Sequence, residues 1–276
     1  MHKTMKLSEA VKLLSAAGCA SPREEARMLF SHFDGIPRHR LIAEDPKTEN
    51  PELISAVARR QNREPLQYIL GEVGFFGEVY KVTPACLIPR EDTEVLVDYA
   101  VKNIPAGGVF ADLCTGSGCI AISVLKNTKD TSAIAVDISE DALALARENA
   151  EKNGVENRIS FQKINVISDT LPDQGEFDAI LSNPPYVTDE AYKSLEQEIY
   201  YEPKIAFVGG ADGGDFYRAI TEKYLPKLRD GGFIAYEIGY DQSALMLELA
   251  KEHNLSAEIL KDLSGNPRVC VLKRKK

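Results

Sequence analysis

The six residues Leu181-Ser182-Asn183-Pro184-Pro185-Tyr186 hold the most chemistry in this sequence. Proline biases the residue before it toward extended backbone, so Pro184 extends Asn183 and Pro185 extends Pro184. The result is a stiff corner that aims the Asn183 amide and the Pro184 carbonyl into one space. Two oxygen acceptors converging on a point suit a planar nitrogen bearing two hydrogens, as in a carboxamide or an exocyclic base amine. With both N–H groups held, the face carrying the nitrogen lone pair is turned toward an electrophile. Amide nitrogen is a poor nucleophile because its lone pair is delocalised, so acceptors that stabilise the charge developing on it act where the barrier is highest. Tyr186 offers a ring to stack on the planar group. No dedicated base is required, because the alkylated nitrogen becomes acidic and loses its proton to solvent or to the acceptors afterwards. The plainer alternative is a Pro-Pro loop with no chemical role.

A second segment, Phe110-Ala111-Asp112-Leu113-Cys114-Thr115-Gly116-Ser117-Gly118, puts two glycines where an apolar strand turns into a helix. Backbone without Cβ can approach a ligand there, at the helix N-terminus. The spacing Gly116-x-Gly118-x-x-Ala121 also fits a dinucleotide fingerprint, and an ordinary tight turn. The next strand ends at Asp137, 19 residues beyond Gly118, where a carboxylate accepts hydrogen bonds from both hydroxyls of a ribose. Ser139 is placed to cap the helix that follows, and Asp137 lies too early to do so. No lysine or Walker pattern for cradling phosphates accompanies the glycines. Acid-rich surroundings suit a sulfonium better than a pyrophosphate.

The elements that must position these residues follow from periodicity. From Val109 onward strands alternate with helices: Val109 to Leu113, then Cys119 to Lys126; Ala133 to Val136, then Glu140 to Asn153. Further strands are expected at Ile159 to Phe161, Phe177 to Leu181, Gly232 to Glu237, Ala257 to Leu260 and Val269 to Leu272, with helices at Phe216 to Leu228 and Gln242 to His253. That alternation predicts an α/β fold with a parallel, doubly wound sheet. Asn183 to Tyr186 then closes the fourth strand, at the carboxyl edge where such sheets bind ligands. Residues 1–70 read instead as a small helical bundle. Leu7, Val11 and Leu14 share one face, Ser21-Pro22-Arg23-Glu24 reads as a capping box with proline at the first helical position, and a helix from Asn50-Pro51 runs to about Gln61. Residues 71–89, rich in glycine, aromatic and β-branched types, read as a hairpin connector, leaving 90–276 as the larger domain.

At 276 residues, 44% hydrophobic and 27% charged, the chain can bury a full core. Its net charge of −9 argues against affinity built on neutralising many phosphates. Residues 1–70 are slightly basic, with 11 Lys and Arg against 9 Asp and Glu, while the remainder carries 22 against 33; a basic partner, or one met through the N-terminal part, is the milder inference. Five scattered cysteines with no C-x-x-C pair imply neither disulfides nor zinc. No apolar run approaches the roughly 20 residues of a membrane span, and Met1 to Lys6 leads into an amphipathic segment, not a secretory core. A cytoplasmic protein without a membrane partner is expected.

With Asp112 to Gly118 and Asn183 to Tyr186 in hand, the chain resembles class I S-adenosylmethionine-dependent methyltransferases of the amino-methylating group. Pro65 to Gly71, Leu87 to Glu94, Glu202-Pro203, Asp212 to Tyr217, Glu237-Ile238-Gly239 and Asp262-x-x-Gly265-x-x-Arg268 extend the match over essentially the whole chain. Together they resemble the HemK/PrmC family of release factor glutamine methyltransferases. The resemblance implies a Rossmann-like sheet of seven strands with the last reversed, an N-terminal helical domain that binds a peptide chain release factor, and methyl transfer to N5 of the glutamine in its Gly-Gly-Gln loop. It also implies that Cys114, Thr115, Gly116, Ser117, Gly118 and Asp137 hold S-adenosylmethionine, that Asn165 and Val166 line its adenine, and that Asn183, Pro184, Pro185 and Tyr186 hold the glutamine, Asn183 also meeting the cofactor. A monomer that binds no nucleic acid directly is expected. Two positions depart from the family pattern: Cys114 stands where many members have glycine, and Asn165 where aspartate is commoner. Arg90 with Glu94 reads equally as an exposed ion pair at a helix start or as part of the site, and Glu237 reads either as a group near the cofactor at a strand end or, more simply, as a cap on a neighbouring loop.

Three other readings are open on sequence grounds. The Asn-Pro-Pro-Tyr corner suits an adenine or guanine amine in a flipped base, though no basic, aromatic-rich appendage accompanies it. The glycine fingerprint alone fits a nicotinamide oxidoreductase. A binding module without turnover is the non-enzymatic alternative.

Overall fold

The structure, a computed structural model, describes residues 4–171 and 175–275; Met1 to Lys3, read above as part of a non-secretory start, lie outside them. It divides into two compact units, one of Met1–Glu72 with Glu196–Tyr201 and one of Val73–Leu195 with Glu202–Lys276.

The first unit is helical: α1 (Leu7–Ala16), α2 (Pro22–Asp34), α3 (Arg40–Ala43), α4 (Pro51–Gln61) and α5 (Leu66–Leu70), with β1 (Met5–Lys6) pairing antiparallel to β2 (Lys47–Thr48). Ala10, Leu14, Ala26, Leu29, Phe30, Leu53 and Val57 form its buried core. Asn50 caps α4 by accepting from Glu52 N at 2.9 Å, with Pro51 in the first turn. The expected box at Ser21 takes another form. Ser21 has ψ 60°, not the extended backbone of a capping box, and its side chain caps nothing. Its N–H donates to Glu25 at 3.2 Å, while Glu24 turns outward to Arg27 and Arg38. Glu25 wins because it faces inward, where the Arg60 guanidinium donates to it at 2.6 Å. Arg60 and Arg63 both also pair with Glu198 of the returning segment, at 3.1 and 2.6 Å.

The second unit opens with the expected hairpin, β3 (Glu72–Phe75) and β4 (Glu78–Lys81), then α6 (Glu94–Asn103). Its sheet comprises β5 (Val109–Leu113), β6 (Ser132–Asp137), β7 (Ile159–Lys163), β8 (Phe177–Ser182), β9 (Leu228–Glu237), β10 (Leu255–Lys261) and β11 (Pro267–Arg274), in the order β10-β11-β9-β8-β5-β6-β7. Every pairing is parallel except those of β11, which runs antiparallel to both β9 and β10, as the resemblance implies. The helices are α7 (Cys119–Asn127), α8 (Glu140–Lys152), α9 (Asp189–Tyr192), α10 (Asp215–Tyr224) and α11 (Ser243–Glu252). Along each central strand alternate residues enter two different cores. Phe110, Ala135, Leu181 and Ala235 meet α6 and α7 on one side, whereas Ala111, Val136, Ile180 and Ile234 meet α10 and α11 on the other. The helix expected from Phe216 to Leu228 ends at Tyr224, because Pro226 tightens the next turn and β9 begins early, at Leu228.

Strand order reverses across β5 and β8, so their carboxyl ends open the crevice in which doubly wound folds bind ligands. The two motifs leave these adjacent strands side by side, Leu113 opposite Ser182, and the Ser182 hydroxyl donates to the Leu113 carbonyl at 2.6 Å. No helix among the described residues is long and apolar enough to cross a membrane.

Candidate active site

The turn after β5 is held from within. Thr115 donates through Oγ1 to Asp112 Oδ2 at 2.6 Å and through its backbone to Val136 O at 2.9 Å. Asp112 is fully buried, and its other oxygen has no partner; burial pushes its carboxyl up to about 7. Three residues of the turn take left-handed angles: Cys114 (φ 61°), Gly116 (φ 54°) and Gly118 (φ 81°). The two glycines do different work. A Cβ on Gly116 would meet nothing closer than Cys86 Cβ, at 3.6 Å, so that side is open to a ligand. A Cβ on Gly118 would lie 2.9 Å from Ile122 and 3.1 Å from Ala146, so this glycine serves the packing of α7 against α8.

Asp137 accepts from Gly116 N and from Ser139 N, both at 2.9 Å, one on each oxygen. Each oxygen keeps a lone pair for a further donor, and burial raises its pKa. Ser139 caps α8 by accepting from Ala142 N at 3.2 Å.

These groups open onto one cleft. Cys114, Thr115, Gly116, Ser117, Asp137, Asn165, Val166, Asn183 and Pro185 all line it. Gly118, Pro184 and Tyr186 are not among its lining residues. Pro184 is buried in the corner, and the partly buried Tyr186 packs against the α10–α11 core with its hydroxyl 3.5 Å from Glu237 Oε1. Asn183 donates through Nδ2 to Thr93 Oγ1 at 3.3 Å, and Thr93 donates in turn to Glu237 Oε2 at 2.5 Å.

Glu237 thus lies beside the corner, correcting its reading as a loop cap; burial pushes its carboxyl up to about 7. Thr93 escaped sequence reading because a threonine ahead of a helix looks like an ordinary cap. Arg90 and Glu94 do not pair with each other. Arg90 pairs with the buried Glu202, which also accepts from Ile88 N at 2.8 Å, and Glu94 accepts from Phe76 N at 2.7 Å. The reason is direction: the extended backbone at Arg90 precedes the helix, so the two side chains never share a helical face.

The donor set fits a sulfonium nucleoside. Asp137 presents carboxylate oxygens for hydroxyls, while Ile138, Ile164 and Val166 give apolar walls for a base. Among the described lining residues Arg90 is the one cation, and Glu202 neutralises it.

A sheet of this order with a glycine turn after its first strand, an acid after its second and Asn-Pro-Pro-Tyr after its fourth defines a class I S-adenosylmethionine-dependent methyltransferase. The Methyltransferase small domain model matches residues 91–206, and the PrmC N-terminal domain model matches residues 6–71. A release factor glutamine methyltransferase of Geobacter sulfurreducens is 40% identical over 239 residues, 85% of this chain and 83% of that one. One from Moorella thermoacetica is 36% identical over 271 residues, 95% of each. The chain belongs to the release factor glutamine methyltransferase family. A ribosomal protein L11 methylase from Lactobacillus delbrueckii subsp. bulgaricus shares the fold, with TM-score 0.51 and 22% identity over 71% of this chain and 84% of that one.

Proposed function

We propose that the protein methylates N5 of the glutamine in the Gly-Gly-Gln loop of translation release factors, using S-adenosylmethionine, in the cytoplasm and as a monomer. The observation that carries the reading is the Asn183 amide: its nitrogen is engaged by Thr93, which leaves Oδ1 as a free acceptor on a residue that also lines the cleft. Bound in that cleft, S-adenosylmethionine supplies a methyl group made electrophilic by its sulfonium.

The chain's own residues then have separable tasks. Asp137 accepts from the ribose hydroxyls, Gly116 admits the ligand to the backbone of the turn, and Asn165 and Val166 border the adenine. Asn183 Oδ1 and the Pro184 carbonyl would accept the two N–H groups of the glutamine amide, fix its plane and stabilise the positive charge that develops on the nitrogen during transfer. The alkylated nitrogen then loses one proton to water, and neutral N-methyl amide departs. The helical unit, slightly basic in its first 70 residues, serves to recognise the release factor.

Labelled-methyl transfer to a purified release factor tests this. Label should enter the wild-type factor and vanish when its loop glutamine is replaced. Label retained without the glutamine, or entering RNA or DNA instead, overturns the reading. Asn183→Ala should lower kcat by about 10²–10³-fold while S-adenosylhomocysteine binding changes by less than about tenfold.

A further inference from the structure

Asn183 can accept from a substrate only if its amide is turned the right way, since the two ends of a carboxamide differ in polarity and not in shape. The group that decides is Thr93, 2% exposed, in the single 3-10 turn Glu91–Thr93 ahead of α6. A hydroxyl has one hydrogen. Thr93 directs it to Glu237 Oε2 at 2.5 Å, so toward Asn183 it presents only lone pairs, and the amide must offer Nδ2, at 3.3 Å. Oδ1 is then left for a ligand. We infer that Thr93 and Glu237 are positioning residues that set which atom of the Asn183 amide meets the methyl acceptor, the ionised Glu237 carboxylate selecting the accepting oxygen. This rests on the reading of Asn183 as the acceptor of the glutamine amide.

The relay reverses when Glu237 gains a proton. A neutral carboxyl donates to Thr93, frees the threonine hydrogen for Asn183 Oδ1, and lets the amide rotate its NH₂ toward the cleft. Two donors then face the two donors of the substrate. The groups facing Glu237 are Thr93 and Asp92 from the 3-10 turn, Tyr186 from the corner, Arg268 from β11, Tyr217 from α10 and Cys119 from α7. The Arg268 charge is shared with Asp92 and Asp262, at 3.1 and 3.4 Å. Burial outweighs Arg268 and puts the Glu237 carboxyl near 7, where its charge state changes in a neutral solution.

The test is steady-state methylation of a release factor from pH 6 to 9 by wild type, Thr93→Val, Thr93→Ser and Glu237→Gln, with calorimetric binding of S-adenosylhomocysteine as the folding control. Wild-type kcat should rise through one ionisation near 7, and Glu237→Gln should give a flat profile. Thr93→Val should lose about 10- to 100-fold in kcat with KM within about threefold, and Thr93→Ser should recover to within about threefold of wild type. The inference is overturned if Thr93→Val keeps wild-type kcat, if Thr93→Ser falls as far as the valine, or if the pH step survives in Glu237→Gln. Should Thr93→Val fail to bind S-adenosylhomocysteine, the Glu237→Gln profile alone decides, flat supporting and stepped overturning. A wild type that leaves the glutamine unmodified sinks the proposed function itself; a wild type that methylates it while all three variants match it sinks only the relay.

Discussion

Cys114 holds a backbone angle, φ 61°, that a side chain adopts at a cost of roughly 1–2 kcal/mol. Part of that is returned when glycine replaces it, because glycine also loses more chain entropy on folding. Cys114→Gly should therefore raise the urea midpoint by the equivalent of about 0.5–1 kcal/mol, with S-adenosylhomocysteine still bound. An unchanged or lowered midpoint would mean that the thiol's packing outweighs the strain. The sequence showed that a cysteine stands in the glycine turn, but not the left-handed angle it holds there. At this scale the sequence carried the identity of the chemical groups and little of their partnerships. Asn183 could be read from two prolines beside it, whereas Thr93 and Glu237 lie 144 residues apart and meet only through the sheet. No periodicity records such a meeting, and a glutamate at a strand end is ordinary.

At the scale of elements, the stiffness of the diproline corner is supplied partly by its neighbours. A Cβ on Gly209 would stand 2.3 Å from the Pro185 carbonyl oxygen, and one on Gly213 would stand 2.2 Å from that of Tyr186. Gln242 Nε2 also donates to the Tyr186 carbonyl, at 3.0 Å. The loop before α10 thus presses backbone against backbone, where nothing flexible can yield. Gly209→Ala should lower kcat by at least about tenfold through displacement of Asn183, with S-adenosylhomocysteine affinity held within a few-fold; equal losses in both would point to general unfolding. The central strands β5, β6 and β8 were plain in the sequence because they are buried on both faces, and short runs such as Ala133 to Val136 have no other economical reading. The ends of α10 and β9 were less plain, since Pro226 breaks the helix only after its apolar spacing has continued past it.

Across the whole molecule, two buried carboxyls, Asp112 and Glu237, each sit near 7 against ordinary values of 3.8 and 4.5. A carboxyl whose pKa rises on folding favours the fold while protonated. Its contribution is complete below its unfolded value and disappears as pH climbs through about 7. Urea midpoints should accordingly fall between pH 5 and 8, by up to roughly 3 kcal/mol for each group, and Glu237→Gln should remove its share of the slope. A variant as steep as wild type would show that Glu237 is ionised across that range.

The helical unit is made of two stretches of chain, residues 1–72 and Glu196–Tyr201, and the second brings the carboxylate that neutralises Arg60 and Arg63. No single cut can therefore excise it intact. A gene fragment ending at residue 72 would leave Arg60 with Glu25 alone and Arg63 with no carboxylate, because Glu198 is encoded more than a hundred codons downstream, so recombination that trades the front of this enzyme for a relative's must carry along a matching acid from beyond Tyr186.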